Sequence, residues 1–517
     1  MRNETTIKIF LKKIIFFLCL LLTIQNAEAQ NLKELRTLVV FFDGLRPDYI
    51  TPENMPNLYA FSKKGAYGKN HHSVFPTVTR VNSSSYSTGS YPKTHGLMGN
   101  TVYFPKVDQK QGLNTGEAEN LNKVNESENG NLLTAISLGE ILAKAGKKMI
   151  VFSSGSTGSA LLQNHKVGLG AVINTSMILP ESLKEKVLKE IGPVPESVKP
   201  KPNMLQHKWI TDAILKYGIT MDGPLVSSVW FSDPDGAAHT YGIGSEFAME
   251  SIRIVDEQFG RILRDIEQKG LTNNFNIIIS ADHGFATFIG KTNVADFLIK
   301  EGLKQNKESE DVVVSEGAIY VQNHDKTKIQ QIVSKLQAQE WVGGIYTRAL
   351  NTGDSKGSVD GTLSFEVIHW NHADRASDIL VDYNWNDNEN DKGYIGTSFA
   401  KGVAGHGSLS PYEVHIALIA SGPSFKKAYE SNLPTSNIDL VPTILHLHNL
   451  PIPASMNGRI FFELLNEKNT PELPELKVEK ITTKSDYAGG SYELTLQQSL
   501  LGKYRYLDFS KVVRVSK

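Results

Sequence analysis

Three apolar, β-branched runs that each close on an acidic residue constrain this chain more than any other feature. They are Leu38-Val-Val-Phe-Phe-Asp43, Val226-Ser-Ser-Val-Trp-Phe-Ser-Asp233 and Asn276-Ile-Ile-Ile-Ser-Ala-Asp282. Near-continuous apolar segments of this kind are buried on both faces, as strands of a parallel sheet are. Lys148–Ser153 and His415–Ala420 supply two more strands, and helical segments over Leu132–Ala145 and Phe247–Lys269 alternate with them. The chain therefore reads as α/β, with helices on both faces of a sheet. Sites in such folds form outside the carboxyl ends of the strands, where Asp43, Asp233 to Asp235 and Asp282 all fall.

Those acids are joined by histidines. Asp235 and His239 stand four apart, Asp282 and His283 are adjacent at a strand end, and His406 sits between two glycines. Carboxylate oxygen and imidazole nitrogen are good zinc ligands. With Asp43 they make six, three for each of two metals, which leaves both ions open as catalytic zinc requires. Two ions about 4 Å apart clamp the attacking and leaving oxygens of an in-line phosphoryl displacement. The metals need a nucleophile between them.

Residues 75 to 100 read Phe-Pro-Thr-Val-Thr-Arg-Val-Asn, six residues, then Gly-Ser-Tyr-Pro-Lys-Thr-His-Gly-Leu-Met-Gly-Asn. This segment resembles the nucleophile region of the nucleotide pyrophosphatase/phosphodiesterase family within the alkaline phosphatase superfamily. The resemblance runs from about Leu38 to Phe462, through Phe-Phe-Asp-Gly-Leu-Arg-Pro-Asp-Tyr and Ser-Ala-Asp-His-Gly-Phe to Asn437-Ile-Asp-Leu-Val-Pro-Thr-Ile-Leu. It implies an alkaline-phosphatase-like, mostly parallel central sheet and two Zn2+ per chain. It further implies Thr79 as nucleophile and Asn100 as a ligand of a phosphoryl oxygen. Asp43, Asp282 and His283 would hold the zinc that activates Thr79, itself a ligand of that ion. Asp235, His239 and His406 would hold the zinc that supports the leaving oxygen and later the water. A phosphothreonine intermediate and retention at phosphorus follow, with Asn100 and the Arg80 N–H facing the non-bridging oxygens.

Arg80 departs from the family pattern, in which nucleotide-cleaving members carry an aromatic residue after the nucleophile. A guanidinium there suits an anionic group of the substrate, or a salt bridge to a neighbouring acid. A Lys-x-Arg pair of the kind found in threonine phosphomonoesterases is missing from Phe152–Ala160, which favours a diesterase. A phosphomonoesterase or phosphonoacetate-type hydrolase stays open, as does, from another class, a non-catalytic surface binding protein. Thr77 and Asn82 read as turn and structural residues, His95 as a packed turn histidine, and His71 with His72 as a surface pair.

The N-terminus places basic residues before an apolar run from Ile14 to Ile24 and an Ala27-Glu-Ala29 site. That is a signal peptide over residues 1–29, since the run is about half the roughly 20 residues needed to cross a bilayer. An exported protein, periplasmic or secreted, is expected, without stable membrane insertion. Cys19, the sole cysteine, lies inside that segment, so no disulfide staples the rest. Beyond residue 29 there remain 50 basic and 53 acidic groups, because four of 54 and two of 55 precede it. Such balance offers no broad cationic field, so a small phosphorylated substrate is expected rather than a nucleic acid polymer.

The catalytic domain is expected over 30–465, with a cap lobe over 295–400 carrying a Gly317–Val321 strand and a Lys326–Gln339 helix. A β-rich extension follows over 466–517. Asn384–Asp391 reads as a solvated polar loop, because it lacks the glycine and terminal glutamate of an EF-hand loop.

Overall fold

In the computed structural model, which describes residues 34–197 and 203–516, the three acid-ending runs are adjacent parallel strands. The signal segment over 1–29 lies outside the described residues. Nine strands form the central sheet: β1 (Arg36–Phe42), β2 (Ala66–His72), β3 (Met149–Ser153), β4 (Ala171–Asn174), β5 (Met177–Leu179), β6 (Val226–Phe231), β7 (Phe275–Ser280), β8 (His415–Ser421) and β9 (Tyr429–Ser436). Their order is β9-β2-β8-β7-β1-β6-β3-β4-β5. The run β7-β1-β6-β3-β4 is parallel throughout.

Register does the positioning. Phe42 pairs with Phe231 and Phe41 with Ser280, so the residues just beyond these strands emerge at one rim. β8 runs antiparallel to both neighbours. The reason is its entry point: the His406 turn already lies at that rim, and the short helix Pro411–Val414 feeds β8 directly from it, so the strand can only run away.

Alternation along β1 splits the core into two layers. Leu38, Val40 and Phe42 join a cluster with Leu58, Ile210 and Ile252, whereas Val39 and Phe41 join Tyr86, Leu142 and Ile444. Helices thus cover both faces, as the period-two burial of a central strand demands. Glu246–Gln268 matches the expected helix. The other expected helix is shorter, Leu138–Lys144, because a capping box between Ser137 and Glu140 starts it six residues later than the apolar pattern suggested.

Between Asp282 and His406 the chain builds a five-stranded sheet, in the order Val312–Ser315, Ala318–Val321, Ile379–Tyr383, Val342–Thr347 and Leu363–Ser364, with helix Lys326–Gln337. A four-stranded sheet lies nearby, and Trp385–Glu389 is one of its two edge strands. The segment read as a polar loop is therefore paired backbone whose residues 387–389 still face water.

The C-terminal strands Leu476–Tyr487, Gly490–Leu501 and Tyr504–Ser516 form an antiparallel sheet. Tyr492, Leu496 and Leu507 share one apolar cluster with Ile345, Tyr346 and Leu363 of the inserted sheet. This packing overturns the surface reading of His71 and His72. Both are buried in β2, which is flanked by β8 and β9. His71 Nδ1 meets Thr435 Oγ1 at 2.8 Å, and His72 Nε2 meets Asp508 of the last strand at 3.0 Å. Among the described residues no helix is long and apolar enough to cross a membrane.

Candidate active site

Asp43 follows β1, and its carbonyl accepts the Asp235 N–H at 2.9 Å, which ties the first acid to the loop after β6. Gly44 then turns the chain with φ +72°, and its N–H reaches Asp282 Oδ1 at 3.0 Å. A Cβ at Gly44 would lie 3.1 Å from both Asp235 Cβ and the Phe285 ring, so close approach as well as φ requires glycine.

Two donor sets result. Asp43, Asp282 and His283 form one, and Asp235, His239 and His406 the other; within each set the ligand atoms lie within 4.8 Å of one another. His283 Nε2 stands 2.9 Å from Asp282 Oδ2 and 3.5 Å from Asp43 Oδ1. Asp235 Oδ1 stands 3.2 Å from His239 Nε2 and 3.3 Å from His406 Nε2. The sets are adjacent, since the His283 and His406 rings stack with centroids 3.4 Å apart. Helical spacing explains the second set: Asp235 and His239 lie one turn apart on α1 (Asp235–Tyr241).

Each imidazole is oriented from behind. Nδ1 of His283, His239 and His406 meets the carbonyls of Gly284, Ala404 and Thr77 at 3.0, 2.9 and 2.8 Å. A carbonyl accepts only, so the proton sits on Nδ1 and the Nε2 lone pair faces the acids, as in metal-binding histidines. Asp43 Oδ1, Asp235 Oδ1 and Asp282 Oδ2 are buried without a hydrogen-bond partner. Orphaned carboxylate oxygens beside imidazole lone pairs fit divalent cations with mixed N/O ligation, as zinc sites have.

Without a cation the electrostatics are those of crowded acids and imidazoles: burial opposes protonation of His283 and His239, but Asp282 and Asp235 raise both. Burial, then the charges of Asp282 and Asp235, push the Asp43 carboxyl well above its ordinary range. Burial also opposes ionisation of Asp235, but the His239 and His406 rings hold it well below that range. Burial and His283 push His406 down to about 4, favouring its neutral, ligating form.

Thr79 opens helix Thr79–Thr88 and is 4% exposed. Its Oγ1 lies 3.2 Å from His283 Nε2, at the edge of the first donor set. The Arg80 N–H donates to Asn100 Oδ1 at 3.0 Å. That N–H, expected to face substrate, thus has a partner, and the contact leaves the Asn100 amide NH2 as the donor free of it. The Arg80 guanidinium has a buried Nε without a hydrogen-bond partner, and its Nη2 would lie 3.1 Å from a Cβ at Gly116. The structure therefore brings together Thr79, Arg80, Asn100 and all six expected ligands.

The remaining assignments are structural. Thr77 Oγ1 donates to Ser408 O at 2.8 Å and accepts from Gly407 N at 3.1 Å, holding the His406 turn. Asn82 bonds both Val74 N and O, and His95 Nε2 meets Ser85 Oγ. Sequence reasoning missed three residues. Trp230 Nε1 donates to Asp43 Oδ2 at 2.9 Å, the buried Glu413 carboxylate accepts Ser408 N and Oγ at 2.7 Å each, and Glu316 accepts Asn100 N at 3.2 Å. Trp230 was legible as one residue on the acid-ending run beside Asp43; Glu316 carries no sequence signal. Beside the donor sets opens a cavity of about 430 Å3, lined in part by Phe75, Asn100, His239, Glu316, Trp370 and His406.

Residues 37–387 match the family model described as type I phosphodiesterase / nucleotide pyrophosphatase. A bis(5′-adenosyl)-triphosphatase of Mus musculus is 23% identical over 439 residues, 82% of this chain and 80% of the relative. Venom phosphodiesterase of Naja atra is 25% identical over 286 residues, 53% of this chain and 30% of that protein. The fold is similar to murine ectonucleotide pyrophosphatase/phosphodiesterase 5, with TM-score 0.58, 19% identity, and 83% and 100% of the two chains covered. It is similar also to a variant of the alkaline phosphatase PafA, with TM-score 0.60, 16% identity, and 84% and 99% covered. With the matched segment spanning most of the chain and both candidate metal-ligand clusters in place, this protein belongs to the type I phosphodiesterase/nucleotide pyrophosphatase family of metal-dependent hydrolases.

Proposed function

We propose that the chain is an exported two-zinc hydrolase of phosphate diesters or pyrophosphate bonds that works through a phosphothreonine on Thr79. The observation that carries this reading is the pair of adjacent three-donor sets with the Thr79 hydroxyl at the edge of one. Asp43, Asp282 and His283 would hold one Zn2+, Asp235, His239 and His406 the other. When bound, the two ions would supply Lewis acidity that lowers the hydroxyl pKa and neutralises charge on the entering and departing oxygens.

The chain's own groups do the rest. Thr79 Oγ1 loses its proton to solvent and attacks phosphorus, the bond to the leaving oxygen breaks, and that oxygen takes a proton from water. Attack by water then breaks the P–Oγ1 bond and restores the threonine, so two inversions give retention. The Asn100 amide NH2, oriented by the Arg80 N–H, offers a donor to a non-bridging oxygen. Trp230 holds Asp43 in place, and Thr77 with Glu413 holds His406.

A diester or pyrophosphate substrate is supported by the names of the relatives, a bis(5′-adenosyl)-triphosphatase and a venom phosphodiesterase. Export is supported by the basic, apolar and small-residue order of residues 1–29. Thr79→Ala is expected to lower turnover by about 10^3-fold or more while zinc stays near two per chain by elemental analysis. Rates near wild type would refute the nucleophile. A comparison of bis-p-nitrophenyl phosphate, thymidine 5′-p-nitrophenyl phosphate, p-nitrophenyl phosphate and phosphonoacetate tests the substrate class; higher kcat/KM on the monoester overturns it.

A further inference from the structure

Glu316 is placed at some cost to the backbone. It occupies the turn between Val312–Ser315 and Ala318–Val321, where Ser315 pairs with Ala318, and its φ of +56° lies in the left-handed region that favours glycine. Non-glycine residues held there cluster at functional sites. The turn reaches into the catalytic half of the molecule. Glu316 Oε2 accepts the Asn100 N–H at 3.2 Å, and a Cβ at Gly99 would lie 3.1 Å from that same oxygen. A Cβ at Gly112 would collide with Ser315 Oγ. Two glycines therefore make room for the inserted hairpin at this point.

The position is electrostatically informative. The side chain of Asn100 accepts the Arg80 main-chain N–H, while its own backbone N–H is held by the Glu316 carboxylate, so an anion stands directly behind the asparagine; the Arg80 guanidinium lies towards Gly116. The surrounding protein raises the Glu316 carboxyl and the charge of Arg80 draws it back down, while the side chain as a whole stays exposed to solvent. Glu316 lines the cavity together with Asn100, His239 and His406. Asp382 and Glu413 line it too, held by the N–H groups of Tyr383, Leu409 and Ser408, whereas Glu316 is held by Asn100 and Thr101, the segment that carries the proposed phosphoryl-facing asparagine.

We infer that Glu316 is a specificity-determining residue: its carboxylate, set against Asn100, offsets the charge of Arg80 and disfavours substrates whose phosphoryl group carries a second negative charge. The inference rests on the phosphoryl site proposed around Thr79 and Asn100. A phosphate diester brings one charge to that site, whereas a monoester at neutral pH brings nearly two. Glu316 is solvent-facing, so the repulsion between like charges across this cleft is of the modest size that exposed charges have.

The test compares methyl p-nitrophenyl phosphate with p-nitrophenyl phosphate, which share a leaving group and differ in charge. Glu316→Gln keeps size and an acceptor for Asn100 N but removes the charge. Glu316→Gly removes the side chain and relaxes the φ of +56°, so it folds even if the first variant does not. Both are expected to raise the monoester-to-diester ratio of kcat/KM about 5- to 10-fold at zinc-saturated, neutral pH. An unchanged or falling ratio overturns the inference, and so does a rise in the glycine variant alone, since that would make the effect steric. The ratio in the unaltered protein tests the diester reading itself, so the two can fail separately.

Discussion

At the residue scale, Asp43 concentrates the tension of the site. Its carboxylate is buried, receives one hydrogen bond from Trp230, and faces the charges of Asp282 and Asp235. Without a cation the folded state must bear that repulsion or take up a proton at Asp43; with one, the same charges would become ligands. Asp43→Asn keeps the acceptor for Trp230 and removes a charge. The metal-free variant is therefore expected to be more stable than metal-free wild type by about 1 to 3 kcal/mol. Its stabilisation by zinc should shrink at the same time. Chemical denaturation with and without chelator reads both, and a metal-free variant no more stable than wild type would contradict the account. Thr79, Asn100 and Arg80 were legible as residues; that the Arg80 N–H is spent on Asn100 was not, because side-chain pairing depends on how the chain folds back over twenty residues.

Elements explain why six separated candidate ligands meet. Parallel register brings the ends of β1, β6 and β7 to one rim, one turn of α1 spaces Asp235 from His239, and the antiparallel entry into β8 delivers His406. The His406 turn is the least regular of these and is held by Glu413, whose two oxygens accept Ser408 N and Oγ, and by Thr77. Glu413→Gln loses one acceptor. Zinc affinity at the Asp235 set is expected to fall about 10- to 100-fold, as for other residues that orient metal ligands. Competition with a chelator of known affinity measures this, and one tight and one weakened site per chain is the expected pattern. Two sites of unchanged affinity would remove Glu413 from that role.

For the whole molecule, several histidines are buried away from the site. Burial holds His71, His95 and His369 down to about 3. The folded state refuses the proton that the unfolded chain takes up near pH 6.5. Their contribution is complete above pH 6.5 and is lost as pH falls towards 3, at roughly 1.4 kcal/mol per pH unit for each group. Asp439, which burial raises to about 6, acts in the opposite sense together with Asp256, Asp382 and Glu413, whereas His165, His415 and His448, each held down to about 4 by burial, add to the histidine side. Tm in the presence of chelator is expected to fall as pH goes from 7 to 5, and more gently in His95→Gln. A flat profile would refute this. His71 and His72 were misread as a surface pair because nothing local indicates that β9 and the C-terminal sheet cover β2.

Strands buried on both faces, their acidic ends and the paired His and Asp residues were determined by the sequence alone, because each depends on short spacing and residue type; the segment from Phe75 to Asn100 was legible through its family resemblance. The direction of β8, the start of the helix at Leu138, the covering of β2 and the reach of Glu316 to Asn100 were decided only by tertiary structure. Each depends on contacts between segments far apart in the chain, where long-range packing and capping override local pattern. Glu316 and Asn100 are 216 residues apart, a separation no periodicity spans.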